Sequence, residues 1–100
     1  MSTLYIEEFA ELAIAKNGQV IQAAQQPAVT TQTVTVSGTS AQSAAFNAST
    51  RFVRLHTDGI ISYLFGDNPT ATTAKPRMGS GQTEYFAVRP GQKVAAITNT

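Results

Sequence analysis

The feature that most constrains the fold is a series of short runs in which apolar and polar residues alternate. In Thr31–Ser37 two valines alternate with threonines before Gly38 ends the run, and in Phe52–Thr57 Val53 and Leu55 alternate with larger polar side chains. Successive side chains of a β-strand point to opposite faces, so a period of two is typical of half-buried strands. Six to eight such runs, separated by turn signals, predict an all-β domain: a small antiparallel β-sandwich or a jelly-roll-like fold.

The dipeptide Asp58-Gly59 predicts a β-hairpin between Phe52–Thr57 and Ile60–Phe65. A two-residue type I′ turn requires a positive φ at both central positions, and Asp-Gly meets that requirement well. In this hairpin Thr57 would face Ile60, and Leu55 and Val53 would face Ser62 and Leu64. Two more dipeptides, Asn17-Gly18 and Pro90-Gly91, predict further hairpins, the latter through a type II turn that fits strand twist less well.

The N-terminal segment has two interpretations. Tyr5, Phe9 and Leu12 follow helical spacing, whereas Asn17-Gly18 favours a hairpin. We favour a strand or an extended arm over a helix, and an arm could pair with a neighbouring subunit or with another protein surface. Residues 1–28 are accordingly interpreted as an N-terminal arm or hairpin plus linker, and residues 29–100 as the sandwich core, within one domain overall.

Composition narrows the classes of partner. Charged residues make up only 13% of the chain, the net charge is +1, and the seven Lys and Arg residues are scattered, so nucleic-acid binding is not expected. No stretch fits a membrane span, and without cysteine there is neither a disulfide nor a thiolate metal site. The surface must be rich in uncharged polar side chains, which suits packing against protein neighbours without desolvating many ions.

The sequence offers little catalytic chemistry. His56 is the only histidine, and Asp58 and Asp67 lie in turn sequences where aspartate is favoured for its own backbone hydrogen bonds. No metal-ligand spacing and no phosphate-binding loop are present. We therefore expect a protein that is not an enzyme, with no catalytic, cofactor-binding or metal-binding residue and no cofactor.

The predicted hairpin nevertheless presents a face too apolar to be left in water. On it, Arg54 lies among aromatic side chains, which is the composition of an interface anchor. With the apolar start of the chain, it forms a candidate protein interface composed of Leu4, Tyr5, Ile6, Phe9, Phe52, Arg54, His56, Tyr63 and Phe65.

Four segments resemble a family of small structural proteins of tailed phages and prophages. They are TLYIEEF at 3–9, SAAFNASTRFVRLHTD at 43–58, FGDNPTAT at 65–72 and EYF at 84–86. The resemblance implies a virion component made in the host cytoplasm, of the head decoration or cement type, that stabilises a capsid through protein–protein contacts. Its partner would be the major capsid protein or another virion protein, and homo-oligomerisation is expected.

A second interpretation is a carbohydrate-binding β-sandwich module of a phage tail or a glycosidase. Such modules display exposed aromatic platforms, and this chain has three tyrosines and no tryptophan to supply them.

Overall fold

The computed structural model describes residues 1–100 and contains ten β-strands and no helix. All strand pairs are antiparallel, as the alternation predicted. The strands are β1 (Ser2–Phe9), β2 (Leu12–Ile14), β3 (Val20–Ala24), β4 (Thr30–Val36), β5 (Ala41–Gln42), β6 (Phe52–Thr57), β7 (Ile61–Gly66), β8 (Arg77–Met78), β9 (Thr83–Ala87) and β10 (Lys93–Thr98).

Two four-stranded sheets enclose the core. The first sheet has the order β4-β1-β6-β9, the second has the order β5-β10-β7-β8, and β2 and β3 form a separate two-stranded sheet. Alternate residues of each four-stranded sheet point inward, so the prediction of a small β-sandwich is confirmed. The buried apolar cluster between the sheets consists of Leu4, Ile6, Val34, Val36, Phe46, Val53, Leu55, Ile61, Met78, Val94 and Ala96.

The N-terminal segment is an inner strand of the first sheet, not an arm. β1 pairs with β4 on one side and with β6 on the other, and its Leu4 and Ile6 are almost completely buried. The strand interpretation is therefore confirmed, whereas the helical interpretation and the idea of an extended arm are wrong. The division at residue 28 also separates strands of a single sheet, because β1 and β4 are direct neighbours.

The Asp58-Gly59 segment connects the two sheets and does not form a hairpin. β6 pairs with β1 and β9, whereas β7 pairs with β10 and β8. Thr57 thus faces Leu4, not Ile60. The predicted partners Ser62 and Leu64 lie in the other sheet. Local turn preference is worth little beside the burial of both strands against partners distant in the sequence, and this explains the error.

Gly59 is required for close packing and not for backbone conformation. Its φ is not positive, unlike that of Gly91. A Cβ built on Gly59 would lie 2.8 Å from the Cβ of Ser2, closer than real Cβ atoms approach. The connection between the sheets therefore passes directly over the start of β1.

We expect Gly59→Ala to lower the free energy of unfolding by about 1–3 kcal/mol, since overpacking forces the backbone to move. Chemical denaturation measures the loss. Gly38→Ala is the matched control, because a Cβ at Gly38 meets nothing within 4 Å. Adding Ser2→Gly to Gly59→Ala should recover most of the loss, and no recovery would refute the steric explanation.

The turn at Pro90-Gly91 forms as predicted, but its strands again lie in different sheets. Gly91 has a φ of 83°, and the amide of Gln92 donates to the carbonyl of Arg89 at 3.3 Å, as a type II turn requires. β9 pairs with β6, whereas β10 pairs with β5 and β7, so the hairpin itself is wrong.

The hairpin at Asn17-Gly18 is confirmed. Leu12 faces Ala24 and Ile14 faces Val20, with a register shift between the two pairs. Gly18 has a φ of 87°, and its amide donates to the carbonyl of Ala15.

Glu8 is a fully buried carboxylate that links β1 to the loop before β6. Its Oε1 accepts hydrogen bonds from the Asn47 amide and the Thr50 hydroxyl, both at 2.8 Å. Its Oε2 accepts a bond from the Gln32 side-chain amide at 3.0 Å. Three donors, two from this loop and one from β4, satisfy a group that would otherwise be costly to bury.

The loop between β7 and β8 covers the outer face of the second sheet. Gln42, on that face, donates to the carbonyl of Pro69 at 2.7 Å, and Asn99 donates both to Ser62 and to the carbonyl of Thr73. Ala95 and Ser62 are consequently fully buried, although they point away from the core. The outer face of the first sheet is covered only at one end, where the β2–β3 hairpin lies against Phe52 and Phe9 is fully buried.

Candidate interaction surface

Beyond the end covered by the β2–β3 hairpin, the outer face of the first sheet is open. We define the candidate interaction surface as Tyr5 and Glu7 on β1, Arg54 and His56 on β6, and Tyr85 on β9. Tyr5 and Tyr85 are 44% and 58% exposed, which is unusual for large aromatic side chains. The exposed threonines of the neighbouring strands surround these five residues: Thr31, Thr33 and Thr83.

The register of the sheet places these side chains in two rows. Tyr5 faces Thr33 on one side and His56 on the other, and His56 faces Thr83. Two residues along the strands, Glu7 faces Thr31 and Arg54, and Arg54 faces Tyr85. Opposed side chains on one face of an antiparallel sheet lie within reach of each other, so the rows form a continuous surface.

Arg54 and Glu7 form the only ion pair of the chain. Arg54 Nη1 donates to Glu7 Oε1 at 3.0 Å, and about a third of each side chain is exposed. A pair this accessible contributes little to folding, because water screens the charges. It does, however, hold a guanidinium and a carboxylate in fixed positions at the centre of the surface.

His56 is oriented by two neighbours. Its Nδ1 lies 2.7 Å from the hydroxyl oxygen of Thr83, and its ring centroid lies 6.2 Å from that of Tyr5 at an angle of 45°. The imidazole is therefore held beside Tyr5. These two rings and the Arg54–Glu7 pair line an open depression of about 640 Å³. The rest of its lining comes from Ile6 and from residues 31–33 of β4.

The nine residues predicted to form an interface do not lie together. Tyr5, Arg54 and His56 share the candidate interaction surface. Leu4 and Ile6 are buried in the core of the chain itself and are not available to a partner. The remaining four lie in two aromatic clusters: Phe9 and Phe52, and Tyr63 and Phe65.

Phe9 and Phe52 stack on each other beneath the β2–β3 hairpin. Their ring centroids are 5.2 Å apart with an interplanar angle of 23°. Phe9 is fully buried, and Phe52 is half-buried and borders a groove beside the hairpin.

Tyr63 and Phe65 pack at the edge of the core, where they meet Phe86 from the first sheet with centroid distances of 5.3 and 5.2 Å. Burial raises the pKa of Tyr63 above its ordinary value of 10.0, and the nearby charge of Glu84 acts in the same direction. Tyr63 therefore keeps its proton at neutral pH and serves packing.

Two sets of exposed apolar or aromatic side chains were not predicted from the sequence. Tyr85 alternates with Phe86 in β9, and this alternation marks it as facing away from the core. The β2–β3 hairpin also carries exposed Ile14, Val20 and Ile21. The consecutive pair Val20-Ile21 was the available signal, since adjacent strand residues point to opposite faces and both cannot face one core.

The structure contains no group of three or more His, Cys, Asp or Glu side chains placed to hold a metal ion. It also contains no helix suited to crossing a membrane. Comparison of the chain with protein-family models, with curated proteins and with solved structures gave no match.

Proposed function

We propose that this chain is a non-enzymatic structural domain that binds a protein surface, and that it serves as a decoration or cement protein of a phage capsid. The observation that carries the proposal is the open part of the outer face of the first sheet. There two exposed tyrosines flank an oriented Arg54–Glu7 pair within a surround of uncharged threonines.

The composition of this surface suits protein recognition. Tyrosine and arginine dominate the binding energy of protein interfaces, because each offers a large contact area together with polar groups that end up hydrogen-bonded. The Arg54–Glu7 pair and the Thr83 contact of His56 already hold three of the polar side chains in place. Less side-chain freedom is then lost on binding, which favours affinity.

Two arguments support the phage assignment: the sequence resemblance, and the repeated arrangement of binding sites on a capsid. A capsid presents many equivalent sites, so a small domain with one modest surface gains avidity when neighbouring copies also contact each other. The partner would be the major capsid protein or another virion protein. The mature location would be the virion, after synthesis in the host cytoplasm.

The test is a binding assay with purified particles of the phage whose genome encodes the chain. Tyr5→Ala and Arg54→Ala should each weaken binding about tenfold or more, as truncation of interface anchors does. Arg77→Ala is the matched control, because Arg77 is exposed on β8, outside the candidate interaction surface.

Binding that is unchanged in both Tyr5→Ala and Arg54→Ala would exclude this surface as the contact. Absence of the wild-type chain from purified particles would refute the virion role. Circular dichroism of each variant should show the wild-type β spectrum.

A carbohydrate-binding module is the second candidate, because Tyr5 and Tyr85 lie on one face, on strands about 10 Å apart across the sheet. Exposed aromatic rings beside polar groups are suited to stacking on sugar rings. Glycan arrays distinguish the two proposals: saturable glycan binding that Tyr85→Ala abolishes would favour the module, and particle binding without glycan binding would favour the decoration protein.

A further inference from the structure

The β2–β3 hairpin is an apolar ribbon that belongs to neither four-stranded sheet. Its strands pair only with each other. Ile14, Val20 and Ile21 are 56%, 58% and 44% exposed. An isolated two-stranded ribbon has marginal stability in water, and apolar side chains of this size on a projecting element mark a contact site.

A largely apolar groove lies at the base of the same hairpin. It has a volume of about 510 Å³ and runs between the inner part of the hairpin and the outer face of the first sheet. Leu12, Ala23 and Ala24 line one side, and Phe52 and Tyr85 line the other. The chain therefore carries exposed aliphatic side chains near the tip of the hairpin and an apolar groove at its base.

The charges on the hairpin have opposite signs at its two ends. Glu11 precedes β2 at the base, and Lys16 lies in the turn at the tip. Both side chains are exposed, and neither forms an ion pair or a side-chain hydrogen bond within the chain. No other charged residue lies between residues 10 and 26.

We propose that the partner of this hairpin is a second copy of the chain, bound about a two-fold axis with the two hairpins antiparallel. In this arrangement the tip of each hairpin inserts Ile14 and Val20, which face each other on one side of the ribbon, into the groove at the base of the other. Lys16 of each copy then lies beside Glu11 of the other copy, whereas a parallel arrangement would oppose like charges. A two-fold contact requires one self-complementary patch, and this hairpin with its groove provides it.

The size of the contact patch determines the affinity that we expect for the dimer. A hairpin and two aromatic side chains per copy supply fewer residues than the roughly 20–30 a side of a standard interface. We therefore expect a dimer with a dissociation constant on the order of micromolar, which neighbouring copies on a shared surface would reinforce. The inference concerns the free chain and does not depend on capsid binding.

Sedimentation velocity of the full chain across a range of about 1 to 500 µM tests the dimer. The wild type should shift from monomer to dimer with increasing concentration. The double variant Ile14→Ser, Val20→Ser should remain monomeric, or dimerise at least tenfold more weakly. Val29→Ser is the matched control, because Val29 is an exposed valine outside the hairpin and should leave dimerisation unchanged.

Charge exchange tests the antiparallel orientation. Glu11→Lys and Lys16→Glu should each weaken the dimer severalfold, and the double exchange should restore it, since each pair is again of opposite charge. A wild-type chain that stays monomeric throughout the range refutes the inference, even if the hairpin variants lose particle binding. A dimer insensitive to both sets of substitutions also refutes it.

Discussion

A chain that lacks residues 1–10 should fail to fold at room temperature. The deletion removes β1, the strand that bridges β4 and β6, and with it the buried Leu4, Ile6 and Phe9. Each such side chain contributes about 1.5–3 kcal/mol when fully buried. The combined loss is comparable with the entire stability of a small domain, about 5–15 kcal/mol, before the broken strand pairings are counted. Loss of the β circular-dichroism signal and of a cooperative melting transition measures this result.

The matched control for the truncation is a chain in which residues 13–23 are replaced by a short Gly-Ser linker. Leu12 and Ala24 are direct partners, so a short linker can join them. This variant should retain a cooperative transition, because the hairpin lies outside both four-stranded sheets. Adding a peptide of residues 1–12 to the truncated chain should restore the β signal. A truncated chain that stays folded would show that β1 is dispensable.

Glu8→Ala should destabilise the domain by about 3–5 kcal/mol. The substitution leaves the Asn47 amide, the Thr50 hydroxyl and the Gln32 side-chain amide without their shared acceptor. Each buried donor left unsatisfied costs about 1–3 kcal/mol, and relaxation or water entry recovers part of the sum. Equilibrium urea unfolding measures the difference.

Two further variants identify the cause of that loss. Glu11→Ala, measured at a concentration at which the chain is monomeric, is the control, since an exposed carboxylate on the same part of the chain should change stability by less than about 0.5 kcal/mol. Thr50→Val removes one donor, so its effect should be clearly smaller in the Glu8→Ala background than in the wild type. Strict additivity of the two substitutions would show that the buried hydrogen bonds do not hold Glu8 in place.

Strand positions and faces could be predicted from the sequence because they depend on local alternation. β4 has exposed Thr31, Thr33 and Thr35 alternating with buried Val34 and Val36, as the pattern indicated. The turn at Asn17-Gly18 was also predictable, because its two strands have no other partner and local preference decides the pairing.

Strand partners could not be predicted in the same way. Asp58-Gly59 follows a strand that is flanked on both sides, by β1 and by β9, so no hydrogen-bonding edge was left for β7. Whether an edge of β6 is free to pair with β7 depends on β1, some fifty residues away in the sequence. A dipeptide carries no information about such a distant strand. The same long-range pairing drew β1 into the centre of the sheet.

The candidate interaction surface was predictable only in part for the same reason. Arg54 and His56 were selected because they alternate with Val53 and Leu55 on a face that the predicted hairpin made rich in aromatic side chains, and they lie on the outer face of the sheet. Tyr63 was grouped with them because the predicted hairpin paired its strand with β6. In the structure Tyr63 lies on β7, in the other sheet. The pairing of Arg54 with Glu7 follows from the β1–β6 register, and no sequence pattern around either residue predicts it.

The strand order has a consequence for how the chain acquires its structure. Apart from β2–β3 and the short β7–β8 pair, every pairing joins strands that are separated by at least one other strand in sequence. Such contacts form only after long loops have closed, and loop closure costs conformational entropy. We therefore expect folding on the scale of milliseconds to seconds. On the ribosome, the second sheet lacks an inner strand until β10 has emerged. Each copy therefore folds late and as one unit, and incomplete chains expose unpaired apolar strands that are prone to aggregation.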